Sequence, residues 1–248
     1  QKETNSVDIK SLYGIDKNQG FLLFCTMIEF NHPGQVKICE EIINYLVLKS
    51  LNHKLIIRLR PGHDEAMWKN FETSHPDRVI LQNPIGVSFD KSNIRNNVDI
   101  KEELQEISIY ASTISQSSLV ISRAHSTTYT DALYLGTPSI VSQFYPLDKK
   151  RTIGFQEMWE QVCTVYPHHK KGYNFSFDSD QLMEYLEFAI EKEKSGINII
   201  NRDQKYLLEK QLNVNSNNIG DLAIEEIKKF EISIINKKEY EETHNKNI

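Results

Sequence analysis

The sequence predicts an α/β protein, a doubly wound parallel sheet followed by a helical C-terminal tail. Two periodicities point there: apolar runs too short for helices alternate with stretches of helical spacing. Those runs are also almost continuously hydrophobic, as strands covered on both faces are. The 248 residues, 39% hydrophobic and 25% charged, have an ordinary globular composition, enough for one large or two small domains.

The series opens with Phe21 to Thr26 as the first strand. Pro33 suits the first position of a helix, and Val36, Ile38, Cys39, Ile42, Ile43, Leu46 and Val47 follow at helical spacing to an end near Leu51. Leu55 to Leu59 is the second strand, closed by Arg60, Pro61 and Gly62; Asp64 then caps a short helix through about Phe71. Val79 to Leu81 supplies a third strand. Asn83 to Ile100 is polar, carries Pro84 and Gly86, and reads as an extended loop. A helix from Glu102 to about Gln116 has apolar residues at 104, 107, 111 and 114, and Leu119 to Ser122 follows it as a buried strand. Thr127 to Leu135 is the next helix, stopped by Gly136 and Pro138. Ser139 to Val141 is the fifth strand, and Cys163 to Val165 is the candidate for a sixth. Repeated βα units imply parallel strands joined by right-handed crossovers. From Asp178 onward only helices are expected, one marked by Leu182, Tyr185, Leu186, Ala189 and Ile190. Another is marked by Leu222, Ile224, Ile227 and Phe230, before a charged end that frays.

A net charge of −5 argues against nucleic acid as the main partner, because phosphate-backbone binding wants a basic face. No apolar run approaches the ~18 to 20 residues that span a bilayer. The 3 cysteines, Cys25, Cys39 and Cys163, show no CxxC spacing, so neither a disulfide framework nor a zinc site is indicated; reduced thiols in the cytoplasm are expected. The polar start at Gln1, with no signal-peptide pattern, reads as a cut inside a longer protein.

In an open parallel sheet, ligands gather at the carboxyl ends of the strands, so the residues just after each strand carry the functional information. After the second strand, Arg58, Arg60 and His63 bring two guanidinium groups and an imidazole ahead of a helix. Arg suits bidentate recognition of phosphate, and His can donate to it; surface ion pairing and a solvent-facing imidazole are the alternative. After the fourth strand comes Ser122-Arg123-Ala124-His125-Ser126-Thr127-Thr128-Tyr129-Thr130-Asp131. Hydroxyl residues at a helix N-terminus expose free amides and the positive end of the dipole, together a phosphate site. Asp131, one turn on, is placed to bind a sugar hydroxyl; the other reading makes Ser126 an N-cap and Asp131 a first-turn acid favoured by the dipole.

Three segments, YGIDKNQGFLLFCT, KLIIRLRPGHD and above all LVISRAHSTTYTDALYLGTPSIV, resemble the C-terminal, nucleotide-binding half of glycosyltransferases of the GT-B fold. The pattern is similar to that of bacterial glycerophosphate and surface-polysaccharide polymerases and of UDP-sugar 2-epimerases. The resemblance covers roughly residues 12 to 165 and implies a Rossmann-like lobe. Residues 1–11 are then a linker or disordered start, 12–177 the nucleotide-sugar-binding domain, and 178–248 the C-terminal helices and tail. It implies that Ser126 and Thr127 meet the nucleotide phosphates and Asp131 the ribose, with Thr128, His125, Thr26 and Gln143 completing the donor-binding set. His63, with Arg58 and Arg60, takes the catalytic role at the leaving diphosphate. The chain departs from the pattern in having Pro-Gly-His where the polymerases have His-Pro, and Ser126 and Thr127 where the epimerases have glycines.

The resemblance thus implies a transferase of bacterial surface-polysaccharide synthesis, taking a nucleotide-activated sugar or glycerol phosphate as substrate, with no separate cofactor. The saccharide or lipid-linked acceptor and the catalytic base belong to an N-terminal lobe that this chain does not carry. A non-hydrolysing UDP-sugar 2-epimerase and a non-catalytic nucleotide-binding or assembly domain are the alternatives. No phosphate loop, HExxH or GxSxG occurs, and without paired DxD-like acids no metal is expected. The basic run His168-His169-Lys170-Lys171 is a candidate for an anionic donor or for peripheral contact with the inner face of the membrane, against the simpler reading of a solvated loop.

Overall fold

The computed structural model describes residues 6–29, 31–60, 65–84, 100–123, 126–165, 169–196, 200 and 204–206. In chain order the elements are α1 (Ile9–Leu12), β1 (Gly20–Cys25), α2 (Gln35–Leu48), β2 (His53–Arg58), α3 (Glu65–Ser74), β3 (Val79–Gln82) and α4 (Ile100–Gln116). Then come β4 (Leu119–Ser122), α5 (Thr127–Tyr134), β5 (Ser139–Ser142), α6 (Lys149–Val165), α7 (His169–Gly172), β6 (Phe175–Ser176) and α8 (Ser179–Lys194). The strands form one parallel sheet in the order β3-β2-β1-β4-β5-β6.

Alternation along each strand sends side chains to opposite faces. Leu22, Phe24, Leu55, Ile57, Leu119 and Ile121 pack against Ile38, Cys39, Ile42 and Leu46 of α2, Trp68 and Phe71 of α3, and Leu182, Leu186 and Ile190 of α8. Phe21, Leu23, Ile56 and Val120 point the other way, toward Ile9 of α1, Ile109 and Ile114 of α4, and Ala132 of α5. Both faces are covered, which makes the sheet doubly wound, as expected. The register sets Leu22 opposite Leu55 on one side and Leu119 on the other, so β1 is the centre of the sheet.

Three sequence expectations need correction. Pro33 does not open α2: Gly34, with φ 82°, is the N-cap, and the helix begins at Gln35. Cys163 to Val165 is not a strand but the last turn of α6, and the sixth strand is the two-residue β6. Phe155, Met158, Trp159 and Val162, at helical spacing, are the pattern that a short apolar run concealed. On α4, the spacing at 104, 107, 111 and 114 does not mark the buried face, since Leu104 is 47% and Ile107 56% exposed. The face that turns inward is Ile109, Ser112, Thr113 and Ile114. Its polar members are satisfied internally: the Thr113 hydroxyl donates to the Ile109 carbonyl at 2.7 Å and accepts from Gln82 Nε2 at 2.9 Å. Gly136, with φ 80°, follows the C-cap of α5 as the sequence suggests. The helix expected after Gly220 lies outside the described residues.

Candidate functional site

The strand order reverses between β1 and β4, and a crevice opens there at the carboxyl edge of the sheet. It is an open cleft of about 430 Å³. Thr26 and Met27 line it from the end of β1, Arg58, Leu59 and Arg60 from β2, Pro84 from β3, Glu106 and Tyr110 from α4, and Ser126, Thr127, Thr128 and Asp131 from α5. Seven expected site residues therefore come together: Thr26, Arg58, Arg60, Ser126, Thr127, Thr128 and Asp131. His63 and His125 lie outside the described residues. Gln143 is not in this cleft; it lines a different cavity with His32 and the aromatic side chains of α6 and β6. Of the basic run, His169 and Lys170 begin α7, and His169 stacks on Trp159.

Each cleft residue has a local reason for its position. Thr26 is buried, and its hydroxyl accepts the Arg60 amide at 2.9 Å, which ties the ends of β1 and β2 together. Gln35 holds the chain after β1: its side-chain amide exchanges two hydrogen bonds with the Met27 backbone, at 2.8 and 2.7 Å. Ser126 is the N-cap of α5 in extended conformation, but its side chain makes no capping bond. Ser126, Thr127 and Thr128 therefore bring the positive end of the helix dipole to the crevice wall, while the Tyr129 amide is taken by the Ser126 carbonyl at 3.1 Å. Asp131 is the fifth residue of α5, beyond its first turn, so a first-turn dipole role does not explain it.

Two residues absent from the sequence-based site organise the cleft. Glu106 forms an ion pair with the Arg58 guanidinium, whose Nη1 also donates to Gln82 Oε1 at 3.1 Å. Tyr110 lies beneath Arg58, 4.7 Å from guanidinium carbon to ring centre, and its hydroxyl donates to Asp131 Oδ2 at 2.8 Å. Burial pushes the Asp131 carboxyl above its ordinary value, and the Tyr110 hydrogen bond pulls it back. Burial, with the nearby Asp131 charge, raises the Tyr110 phenol well above its ordinary value, so it stays a donor. The Cys25 thiol at the cleft floor is pushed up to about 12 by burial, which makes it no nucleophile. Arg58, Glu106, Tyr110 and Asp131 form one chain across the mouth of the switch point. Arg60, exposed, carries its charge without an ion pair among the described residues. No group of acidic, His or Cys side chains among the described residues has metal-binding geometry. No helix among them is long and apolar enough to cross a membrane.

No protein-family model and no curated protein matches the chain. Solved structures similar to it include the UDP-GlcNAc 2-epimerase of Methanocaldococcus jannaschii in complex with UDP-GlcNAc and UDP, at 12% identity and TM-score 0.43 over 83% of this chain and 48% of that one. Staphylococcus aureus MnaA with UDP is similar at 9% identity and TM-score 0.42, over 85% of this chain and 50% of that one. WaaG, a glycosyltransferase involved in lipopolysaccharide biosynthesis, is similar at 15% identity and TM-score 0.39, over 75% of this chain and 41% of that one. The chain spans half or less of the length of these structures.

Proposed function

We propose that the cleft holds the nucleoside diphosphate of an activated sugar or glycerol phosphate donor, and that the chain is the donor-binding half of a metal-independent GT-B transferase of bacterial surface-polysaccharide synthesis. The observation that carries this reading is the N-terminus of α5, with its uncommitted Ser126 hydroxyl, opening into the switch-point crevice opposite Arg60. As the bond to the leaving diphosphate breaks, negative charge grows on its oxygens. The Thr127 and Thr128 amides, the Ser126 and Thr127 hydroxyls and the Arg60 guanidinium are placed to stabilise that charge without rearranging. Arg58 contributes less net charge, because Glu106 offsets it; its part is to hold the Tyr110 ring and, through it, Asp131. Asp131 would accept the ribose hydroxyls, and His63 would add a hydrogen bond to the diphosphate. The acceptor and its activating base belong to a second lobe.

Calorimetry with UDP, CDP, GDP and ADP tests the reading; UDP, present in two of the similar structures, is the first to try. Binding is expected to be weak, because half of a two-lobed cleft leaves much ligand surface in water. Asp131→Ala should weaken the preferred nucleoside diphosphate by about tenfold or more, the loss of one hydrogen bond to a charged group, and leave pyrophosphate unchanged. No binding at millimolar concentration by the folded chain would abandon the donor site and leave a non-catalytic domain. Equal losses for both ligands would remove the ribose assignment.

A further inference from the structure

A second polar cluster lies beyond the cleft, at the β5 side of the same edge. Arg123, directly after β4, is fully buried. Its Nη1 donates to the Ser142 carbonyl, while Nε and Nη2 have no hydrogen-bond partner among the described residues. Its guanidinium lies 4.7 Å from the Tyr145 ring centre, and that of Arg151, half-buried on α6, lies 4.3 Å from the same ring. The Tyr145 hydroxyl meets His32 Nδ1 at 3.3 Å and Gln143 Nε2 at 3.4 Å. No carboxylate among the described residues forms an ion pair with Arg123 or Arg151. The acid that acts on Arg123, Glu29, already accepts the Gly34 amide at 2.7 Å and the Gln35 side chain at 2.8 Å.

A buried guanidinium with two unused donors is costly, Glu29 acts on it without forming an ion pair, and a second arginine stacked on the same ring adds like charge. An anion beside the two arginines would lower that cost. His32 and Gln143 line an adjoining cavity of about 310 Å³ whose wall is Phe155, Trp159, Phe175 and Phe177. None of its lining residues lines the switch-point cleft. Burial first, then Arg123, Arg151 and Arg60, hold the His32 imidazole down at about 4, so at neutral pH it adds a neutral donor and acceptor to a positive field.

We infer that the cluster beside this cavity's polar end, where Tyr145 carries Arg123 and Arg151 on its ring and meets the lining residues His32 and Gln143 through its hydroxyl, binds an anionic group, a phosphate or carboxylate, carried by a small organic ligand whose body rests on the aromatic wall. Arg151, whose Nη2 already donates to the Asn31 carbonyl, supplies charge-assisted hydrogen bonds from its remaining N–H groups, and Arg123 supplies positive charge at low dielectric. This site does not depend on the cleft's being a donor site.

The test is an NMR titration of the ¹⁵N-labelled chain with inorganic phosphate and, separately, with acetate, ionic strength being held constant with potassium chloride. The guanidinium Nε–H signals of Arg123 and Arg151 report this site, and the Thr127 and Thr128 amides report the cleft. Saturable shifts of the arginine signals are expected, and Arg151→Gln should weaken the binding by about tenfold or more. Saturation by acetate alone identifies a carboxylate and by phosphate alone a phosphate, either of which supports the site. Shifts equal to those of added chloride, saturation confined to Thr127 and Thr128, or an unchanged affinity in Arg151→Gln would overturn it. The confined result would leave the cleft reading standing.

Discussion

Tyr110→Phe isolates the bond that holds Asp131. The ring remains under the Arg58 guanidinium, and only the hydroxyl is lost, which donates to Asp131 Oδ2 at 2.8 Å and lies 3.2 Å from Thr128 Oγ1. A hydrogen bond to a charged group contributes ~1.5 to 3 kcal/mol when buried. Asp131 is only about half buried, so solvent screening leaves about 1 kcal/mol, or about 2 to 4 °C in the thermal midpoint of a chain this size. The pH dependence carries the sharper test. Because burial raises the Asp131 carboxyl, the folded chain holds that proton more tightly than the unfolded chain, and stability falls as pH rises through the raised value. Tyr110 lessens that loss by favouring the carboxylate. Without its hydroxyl the value rises further, so the deficit of Tyr110→Phe should be full at pH 7 and shrink as pH falls toward the ordinary carboxylate value of ~3.9. Thermal unfolding of both proteins by circular dichroism, at pH 7 and at pH 4, measures this. A deficit equal at the two pH values, or none at pH 7, would refute the coupling.

The Arg58–Glu106 pair has side chains only 14% and 12% exposed, so Arg58→Met or Glu106→Leu alone should cost about 3 to 5 kcal/mol by stranding the partner's charge. The double variant should recover most of that loss in urea unfolding; additive losses would show that packing rather than charge matters. Leu186→Ala on α8 should cost about 2 to 5 kcal/mol, because Leu186 is fully buried in the same core cluster as Leu22 and Leu119. A loss below about 1 kcal/mol would mean that α8 is only loosely attached.

The central strands were legible because their chemistry is local. Leu119 to Ser122 has the expected bounds, since a short apolar run covered on both faces has few other uses. Phe175–Ser176 was not legible: two residues have no period, and their place is set by pairing with Val141 and Ser142. The cleft residues that follow β1, β2 and β4 were readable from their position after strands. Glu106 and Tyr110 were not, because they sit mid-helix on α4 rather than after a strand, and only the fold brings them over the ends of β2 and α5. Their signal was a polar helix face that apolar spacing passes over. Arg123 stood in the motif itself, but an arginine's letter does not tell whether its charge is solvated or sealed under Tyr145.

The place of β1 also governs the order in which the molecule can assemble. Strands β1, β2 and β3 are joined by successive crossovers, as are β4, β5 and β6, so each trio can pair through comparatively short loops. The join between the trios sets Leu22 beside Leu119, the most sequence-distant pairing of neighbouring strands, and loop closure makes it the slow one. Until α4 and β4 emerge from the ribosome, the open side of β1 offers its backbone donors and acceptors to any other extended chain. The crevice straddles that join, with Thr26 on one trio and Ser126 on the other. A ligand bridging them acts as a clasp on the last part of the sheet to close, and should slow unfolding more than it speeds folding.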